Sequence, residues 1–229
     1  MKTLTLLIAL AFFLAAAPLD DALSAFKNKQ YEKAFTLYEI EAKKEDTKAQ
    51  RALSYLYFNG LGVTKNSERG FYWLNKAAYN LDTVAEYDLG MMYLSGTYSE
   101  PKFDKALFWL QRAADLNHTK AQYNLALMHY RGDGTDINTS KAIVYLEKAA
   151  QSDDVKAQAI IGRLYMQQVK FDKALPWLKK DAASGDVEAA YLIAEIYCSE
   201  GEVVKATPWL SQAIDGGYEK ALELQGSCK

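Results

Sequence analysis

Few side chains in this sequence could carry out metal or covalent chemistry. The chain has two histidines, His118 and His129, and two cysteines, Cys198 and Cys228. These four residues are too few for a zinc framework or for a scaffold rich in disulfides. The sequence also lacks a phosphate-binding glycine loop and a dinucleotide-binding fingerprint. We therefore expect no cofactor and no metal.

Two short motifs have the spacing of a catalytic pair. Ser24-x-x-Lys27 and Ser99-x-x-Lys102 match the serine–lysine spacing of penicillin-binding enzymes and β-lactamases. Those enzymes carry two further motifs, Ser-Asp-Asn and Lys-Thr-Gly, and neither occurs here. We interpret the pairs as chance occurrences and expect a protein that is not an enzyme. A β-lactamase-like or penicillin-binding enzyme remains an alternative.

The first seventeen residues are typical of a secretory signal peptide. Lys2 precedes an almost wholly apolar run over residues 4–14, and three alanines follow at 15–17. A positive start, a short apolar segment and small residues before the cut define such a leader. Pro18 is a poor residue after a cleavage site, and a buried first helix is the alternative, although the run has no polar face. We predict a signal peptide over residues 1–17 and a periplasmic or secreted protein.

Composition limits the other classes of function. The length of 229 residues and the 50% of apolar residues predict one globular domain. A net charge of −2 gives no basic surface of the kind that binds nucleic acid. No second apolar run of membrane-spanning length follows the leader, so we expect no membrane insertion after its removal.

An internal repeat sets the positions of the other residues of interest. Alanines recur at one constant interval as far as Ala157 and at an interval shorter by four positions after it, and we call them the anchor alanines: Ala49, Ala85, Ala121, Ala157, Ala189 and Ala221. A small residue follows each anchor after five positions, and a tyrosine or histidine follows the first five anchors after eight. These offsets lie on one face of an α-helix. The anchors therefore mark the first helix of a repeating unit, helix A.

A second stripe predicts a second helix, helix B. Small residues recur with the same spacing, and a leucine or aromatic residue follows each after three positions: Leu37, Trp73, Trp109, Tyr145, Trp177 and Trp209. One pair of helices cannot bury both of its faces, so the pairs must stack. His129 stands at the tyrosine position of its unit, and we interpret it as a core residue rather than a catalytic base.

Three motifs carry a resemblance to a known family. They are Leu89-Gly90 with Tyr93 in helix A, the loop at residues 60–63, and Lys-Ala-x-x-Trp-Leu-x-x-Ala-Ala at 105–114. Over about residues 45–217 the sequence resembles the Sel1-like repeat family, which is related to tetratricopeptide repeats. The two last units, which have the shorter interval, depart toward the shorter tetratricopeptide loops. The resemblance implies adaptor and scaffold roles through protein–protein interaction.

The predicted fold is all-α, a right-handed α-solenoid of stacked antiparallel helix pairs with a C-terminal capping helix. Residues 18–229 are predicted to form this single domain. The repeat units are predicted at about 18–46, 47–82, 83–118, 119–154, 155–186 and 187–217, and the cap at 218–229. Helices A are predicted at 20–28, 47–59, 83–95, 119–131, 155–167, 187–199 and 218–227, and helices B at 31–44, 67–79, 103–116, 139–151, 171–184 and 203–215.

The concave side of such a stack is the predicted binding surface. Helix A lines it, and positions two, three, six and nine after each anchor should face it. Packing between successive A helices is the alternative and would claim about half of these side chains, with Phe58 and Leu94 among them. Tyrosine and arginine are enriched where partners bind. The predicted partner-binding residues are Arg51, Tyr55, Tyr87, Asp88, Met91, Tyr123, Asn124, Leu127, Tyr130, Arg163 and Tyr191.

These features lead to one hypothesis of function. We expect a non-enzymatic, monomeric interaction module, exported to the periplasm or secreted, that binds a peptide or protein through the groove of helices A. A narrower hypothesis is a periplasmic immunity or inhibitor protein that blocks a toxic effector. The residues themselves do not separate these two roles.

The two cysteines are predicted to form a disulfide in an oxidising compartment. Cys198 ends a helix A and Cys228 follows the cap, so the bond would fix the cap to the stack. Neighbouring helix axes lie about 8–10 Å apart, whereas bridged Cα atoms lie within about 7 Å, so the chain end must bend inward. The alternatives are two unpaired thiols or a link to another chain.

Two sequons are candidate glycosylation sites. Asn117 and Asn138 each stand in Asn-x-Ser/Thr and each follow an aspartate by two residues. Both are predicted in or beside loops, where an acceptor must lie. Chance polar loop composition is the alternative.

Overall fold

The computed structural model describes residues 17–97 and 100–229. These residues form thirteen helices and no strand: α1 (Ala17–Lys27), α2 (Tyr31–Lys43), α3 (Thr47–Asn59), α4 (Ser67–Tyr79), α5 (Thr83–Ser95), α6 (Phe103–Asp115), α7 (Thr119–Arg131), α8 (Thr139–Gln151), α9 (Val155–Gln167), α10 (Phe171–Ala183), α11 (Val187–Ser199), α12 (Val203–Asp215) and α13 (Lys220–Ser227). The largest difference from the predicted bounds is at α1, which begins at Ala17 rather than at residue 20. The predicted leader lies outside the described residues, apart from Ala17.

The chain divides between His118 and Thr119 into two compact units. We call α1–α6 the N-terminal unit and α7–α13 the C-terminal unit. Within each unit every helix packs against the next, so that α1–α6 and α7–α12 each form three stacked hairpins and α13 packs on α11 and α12. The predicted all-α architecture of stacked helix pairs is confirmed. Among the described helices, none is apolar over a stretch long enough to cross a bilayer.

The repeat's small residues form the contacts between helices A and B. All six anchor alanines are fully buried. Gly90, five residues after its anchor, lies so close to α6 that an added Cβ would stand 2.8 Å from Cγ of Leu110. Gly162 meets Leu178 of α10 at 3.1 Å in the same way. The small residue therefore permits the close helix approach that the sequence predicts.

Aspartates begin four of the A helices. Asp46, Asp82, Asp154 and Asp186 each stand three residues before an anchor alanine, and each carboxylate accepts the N–H of that alanine at 2.7 to 2.9 Å. Such capping satisfies an N–H that the helix leaves unpaired and stabilises the helix by about 1 kcal/mol. The residue three before the anchor thus has a fixed place at the start of each A helix.

The glycine loop after α3 is required by close packing. Gly60 and Gly62 both have φ near +67°, which favours glycine. A Cβ on Gly62 would lie 2.2 Å from the backbone carbon and oxygen of Tyr31, at the start of α2. The loop therefore passes directly against the preceding hairpin, and this positions α3 beside α1.

Candidate peptide-binding groove in the N-terminal unit

A groove of about 830 Å³ runs over the A helices of the N-terminal unit. Helices α1, α3 and α5 supply most of its lining, and Tyr38 and Leu74 of the B helices also contribute. Its size is that of a pocket for a small molecule or for a few side chains of a peptide. Each A helix contributes a different part of the lining.

Helix α1 lines the groove with Leu19, Asp20, Leu23 and Phe26. These four residues are not among the predicted binding residues, because the anchor series begins at Ala49. The signal was present: Ala17 precedes Ala49 by the same interval that separates Ala157 from Ala189. Counted from Ala17, the four residues stand at two, three, six and nine, which is the rule that the sequence analysis gave for the concave face.

Helix α3 contributes the central side chains of the groove. Arg51, Ala52, Tyr55 and Phe58, at the same four offsets from Ala49, all line it. Tyr55 is 52% exposed, and its ring meets the ring of Phe26 edge-on with 6.0 Å between the centroids. A large, half-exposed aromatic surface thus connects α3 with α1.

Helix α5 completes the groove with Asp88, Met91 and Met92. Four of the predicted binding residues are therefore brought together: Arg51, Tyr55, Asp88 and Met91. The methionines add apolar side chains that are flexible in shape. Lys48 and Ser54 of α3 are further lining residues that the offsets did not select.

The side chains two positions after the anchor contact the neighbouring repeat. Arg51 lies with Nε 3.2 Å from Oδ1 of Asp82, which caps the next A helix. Tyr87 stacks on His118 with ring centroids 4.5 Å apart. His118 stands three residues before its anchor, the position that a capping aspartate holds in other repeats. These side chains thus join successive repeats within the N-terminal unit. This is the packing alternative stated for the concave face.

The same relation recurs in the C-terminal unit. Tyr191, two after its anchor, packs against Tyr218, three before the next anchor, with ring centroids 4.9 Å apart. The hydroxyl of Tyr191 also donates to Glu195 at 3.4 Å. Because burial and the charge of Glu195 disfavour the phenolate, the pKa of Tyr191 is raised. Tyr191 is therefore engaged within its own unit.

Arg163 is bound by three carboxylates of its own unit. Its guanidinium nitrogens lie 2.9 Å from Asp181, 3.0 Å from Asp186 and 3.1 Å from Glu188. Asp181 is buried, so this pair is shielded from water and holds the side chain in place. The predicted binding residue Arg163 thus connects α9 to the next hairpin.

The remaining predicted binding residues lie on α7. Tyr123 is half-buried against the core of the C-terminal unit. The side-chain amide of Asn124 donates to the carbonyl of Lys120 at 2.8 Å. Leu127 is half-buried, and Tyr130 is exposed. All four belong to the C-terminal unit, and none of them lines the groove described above.

His129 occupies the ring position of a repeated ring–cation pair. In four other hairpins a helix B cation lies 5.4 to 5.9 Å from the ring eight after the anchor: Arg69 over Tyr57, Lys105 over Tyr93, Lys173 over Tyr165 and Lys205 over Tyr197. His129 is buried and stacks on Tyr145. Burial first, and then the charge of Lys141, lower its pKa. The interpretation as a core residue agrees with this burial.

The predicted disulfide is present. Cys198 and Cys228 are bonded, and their Cα atoms lie 5.2 Å apart. The geometric objection from the spacing of helix axes does not apply, because Cys228 follows the end of α13 with an extended backbone that brings it to α11. The bond fixes the short terminal helix to the hairpin before it.

The two sequons differ in their surroundings. Asn117 is exposed in the turn after α6, with φ of 61°. Asn138 is half-buried and caps α8, because its side chain accepts the N–H of Lys141 at 2.9 Å. Glycosylation of either residue stays a prediction.

One of the two serine–lysine pairs is described completely. Ser24 and Lys27 are exposed on α1. Ser99 lies outside the described residues, so its pair with Lys102 has no described geometry.

The repeat units of this chain match those of a known family. The family model described as Sel1 repeat matches residues 47–80, 83–118 and 119–154. Each match contains one A and one B helix of the structure. The chain contains three Sel1 repeats. Sel1 repeats generally form non-catalytic folds for protein–protein interaction, and the matched residues include α3 and α5 of the groove.

Two solved structures show the same fold. A Sel1 repeat protein from Oxalobacter formigenes is 29% identical, with a TM-score of 0.71 over 90% of this chain and 88% of that protein. A protective antigen present in uropathogenic Escherichia coli strains, displaying an SLR fold, is 24% identical with a TM-score of 0.70 over 86% of this chain. This chain spans 44% of the length of that antigen. Among curated proteins, none matches the chain.

Proposed function

We propose that this Sel1 repeat protein is a non-enzymatic interaction module that binds a peptide segment of a partner protein in the groove of α1, α3 and α5. The observation that carries the proposal is the groove itself. Leu23 and Tyr55, which are 42% and 52% exposed, line it together with Phe26, so its exposed apolar side chains are gathered and not scattered singly. Apolar side chains gathered in a concave surface are typical of a binding site.

The differences between the two units favour the N-terminal unit as the binding surface. Position six after the anchor is Leu23, Tyr55 and Met91 on the three groove helices. In the C-terminal unit the same position holds one apolar residue, the half-buried Leu127, and two charged ones. These are Arg163, bound by three carboxylates, and Glu195, which accepts from Tyr191. A side chain that already has charged partners gains less from a new one. The binding energy should therefore come from the N-terminal unit.

Export to the periplasm or the cell exterior is the second part of the proposal. The Cys198–Cys228 disulfide supports it, because such bonds persist in oxidising compartments. The apolar run at 4–14 supports it from the sequence. Cell fractionation with N-terminal sequencing of the mature protein tests this part: a cytosolic protein that retains Met1 would contradict it.

Two tyrosines of equal exposure provide the test of binding. Tyr55, in the groove, is 52% exposed, and Tyr72, on helix B α4, is 53% exposed. Partners captured from the native source by the wild type are identified and then measured directly as purified proteins. Tyr55→Ala should weaken binding at least tenfold, as expected for an aromatic hot spot worth about 2 kcal/mol. Tyr72→Ala should leave it unchanged, and equal effects of both would contradict the groove.

A further inference from the structure

The C-terminal helix α13 buries little of its own surface. It has eight residues, of which Ala221 alone is buried, and Leu222 is 59% exposed. Helix α11, on which it packs, has thirteen residues and buries five of them. A helix as short as α13 is not stable by itself in water, so it depends on its contacts with α11 and α12.

The packing of α13 on the last hairpin is incomplete. A cavity of about 310 Å³ is lined both by α12 and by the end of the chain. Leu210 and Ile214 contribute from α12, and Gln225 and Cys228 contribute from α13 and the residues after it. Well-packed interiors leave few voids larger than a water molecule, so this space marks contacts that the terminal helix does not make.

Two contacts fix the two ends of α13. Before the helix, the ring of Tyr218 packs on the ring of Tyr191 with 4.9 Å between the centroids. After the helix, Cys228 is bonded to Cys198, in the last turn of α11. A ring contact opens and closes with thermal motion, whereas a disulfide opens only when it is reduced. The disulfide therefore determines whether α13 stays on the hairpin.

The disulfide is within reach of a reductant. Both cysteines are half-buried, and Cys228 lines the cavity. A thiolate that attacks the sulfur of Cys228 forms a mixed disulfide, while the sulfur of Cys198 leaves with the bonding electron pair and takes up a proton. The second thiol of a dithiol then attacks the mixed disulfide. The reductant ends as a disulfide, and both cysteines end as thiols.

We propose that the Cys198–Cys228 bond is a redox-sensitive clasp, which a dithiol protein opens to release α13 while α7–α12 stay folded. Release separates Tyr218 from Tyr191, a residue of the predicted binding surface, and uncovers the face of α11 and α12 on which α13 packs. Oxidation of the two thiols closes the clasp again. The redox state thus controls access to the end of the C-terminal unit, and this inference does not depend on the proposed function of the groove.

Hydrogen exchange read by mass spectrometry tests the clasp on the oxidised protein and on protein reduced with dithiothreitol in the absence of denaturant. After reduction the amides of α13 should exchange roughly a hundredfold faster, the order of protection that a bond closing a loop of 30 residues provides. The amides of α11 and α12 should change less than about threefold. The double variant Cys198→Ser, Cys228→Ser should reproduce the reduced state, and dithiothreitol should then have no effect.

Three results would overturn the clasp. Protection of α13 that survives reduction would show that its other contacts suffice. Opening of α11 and α12 together with α13 would show that the bond holds the hairpin itself. A bond that dithiothreitol reduces only in denaturant, measured as the mass added by a thiol-reactive maleimide, would be out of reach in the folded protein. Circular dichroism of the double variant confirms that the other helices remain.

The groove provides a separate measurement. A peptide selected on the oxidised wild type from a random phage-displayed library should bind the oxidised and the reduced protein with equal affinity, because α1, α3 and α5 belong to the N-terminal unit. Weaker binding after reduction would show that reduction disturbs more than α13 and would overturn the clasp. A library that yields no groove peptide would count against the proposed function, and the exchange of α13 would still decide the clasp.

Discussion

Tyr87 and His118 stack with 4.5 Å between their ring centroids and 24° between their planes. Both rings belong to the N-terminal unit, and their contact joins α5 to the segment that follows α6. Tyr87 therefore serves the packing of the stack, whereas Tyr55 on α3 faces the groove. Two tyrosines that the sequence analysis selects equally have different roles.

Replacing these two tyrosines should separate stability from binding. Tyr87→Ala should lower the free energy of unfolding by about 1–3 kcal/mol, because it removes an aromatic pair and part of its buried surface. Its affinity for a groove peptide should stay that of the wild type. Urea unfolding and fluorescence polarisation measure the two quantities. Tyr55→Ala, at a half-exposed site, should show the opposite behaviour, and equal profiles would refute the assignment.

We expect the stability of the fold to depend on pH, because the carboxylate of Glu86 is buried. Glu86 is fully buried with Oε1 2.7 Å from Arg112, and burial raises its pKa despite that cation. Gln50 and Gln158 hold the same place, one after the anchor, and donate to a carbonyl eight residues earlier. A raised pKa in the folded state means that stability is greatest below the unfolded pKa and falls as pH rises through the folded one.

Glu86→Gln should remove this loss of stability at rising pH, because glutamine does not ionise. Its stability relative to the wild type should increase between about pH 4.5 and pH 7, by about 1.4 kcal/mol for each unit by which the pKa of Glu86 is raised. Urea unfolding at several pH values gives the difference, and the exposed Glu68→Gln is the control. A difference that stays constant over this interval would show that Glu86 titrates normally.

His129 should make stability depend on pH in the opposite direction. Burial and Lys141 lower its pKa, so the unfolded chain binds a proton that the folded chain resists. Stability should therefore fall as pH decreases below about 6.5 toward the folded pKa. His129→Tyr restores the residue of the other repeats and should show a smaller fall between pH 7 and 5.5. An unchanged slope would mean that the pKa of His129 is the same in the folded and the unfolded chain.

Two glycines of one loop provide a matched pair for backbone packing. Gly60 and Gly62 share a φ of 67°, but an added Cβ meets Lys65 at 3.2 Å in the first case and the Tyr31 backbone at 2.2 Å in the second. Gly60→Ala should cost about 1 kcal/mol for the left-handed conformation alone. Gly62→Ala should cost about 3 kcal/mol or more, because backbone cannot move aside as a side chain can. Chemical unfolding compares them, and equal costs would contradict the close approach.

The sequence predicts the fold well because each hairpin repeats the same contacts. The buried anchors and the close approach of Gly90 to Leu110 follow from helical periodicity, and the regular spacing of the units follows from the internal repeat. The same rule of offsets, started from Ala17 instead of Ala49, would also have found Leu19, Asp20, Leu23 and Phe26. These features are local, so one sequence is enough to predict them.

The roles of individual concave residues depend on neighbours that the offsets do not include. Arg51 and Tyr87 share an offset, but the partner of each is the residue three before the next anchor, Asp82 or His118. Arg163 has a structural role only because three acidic side chains form ion pairs with it. The disulfide likewise depends on how the chain leaves α13. Such contacts require coordinates, because they join side chains from different repeats.

Methionine methyl groups provide the most direct measurement of where a partner binds. The protein has five methionines, of which Met91 and Met92 line the groove, Met128 is buried and Met166 is half-buried in the C-terminal unit. In protein labelled with ¹³C-methyl methionine, a peptide selected on the wild type should shift the signals of Met91 and Met92 and leave those of Met128 and Met166 in place. Shifts at Met166 with none at Met91 and Met92, at saturating peptide, would contradict binding in the groove.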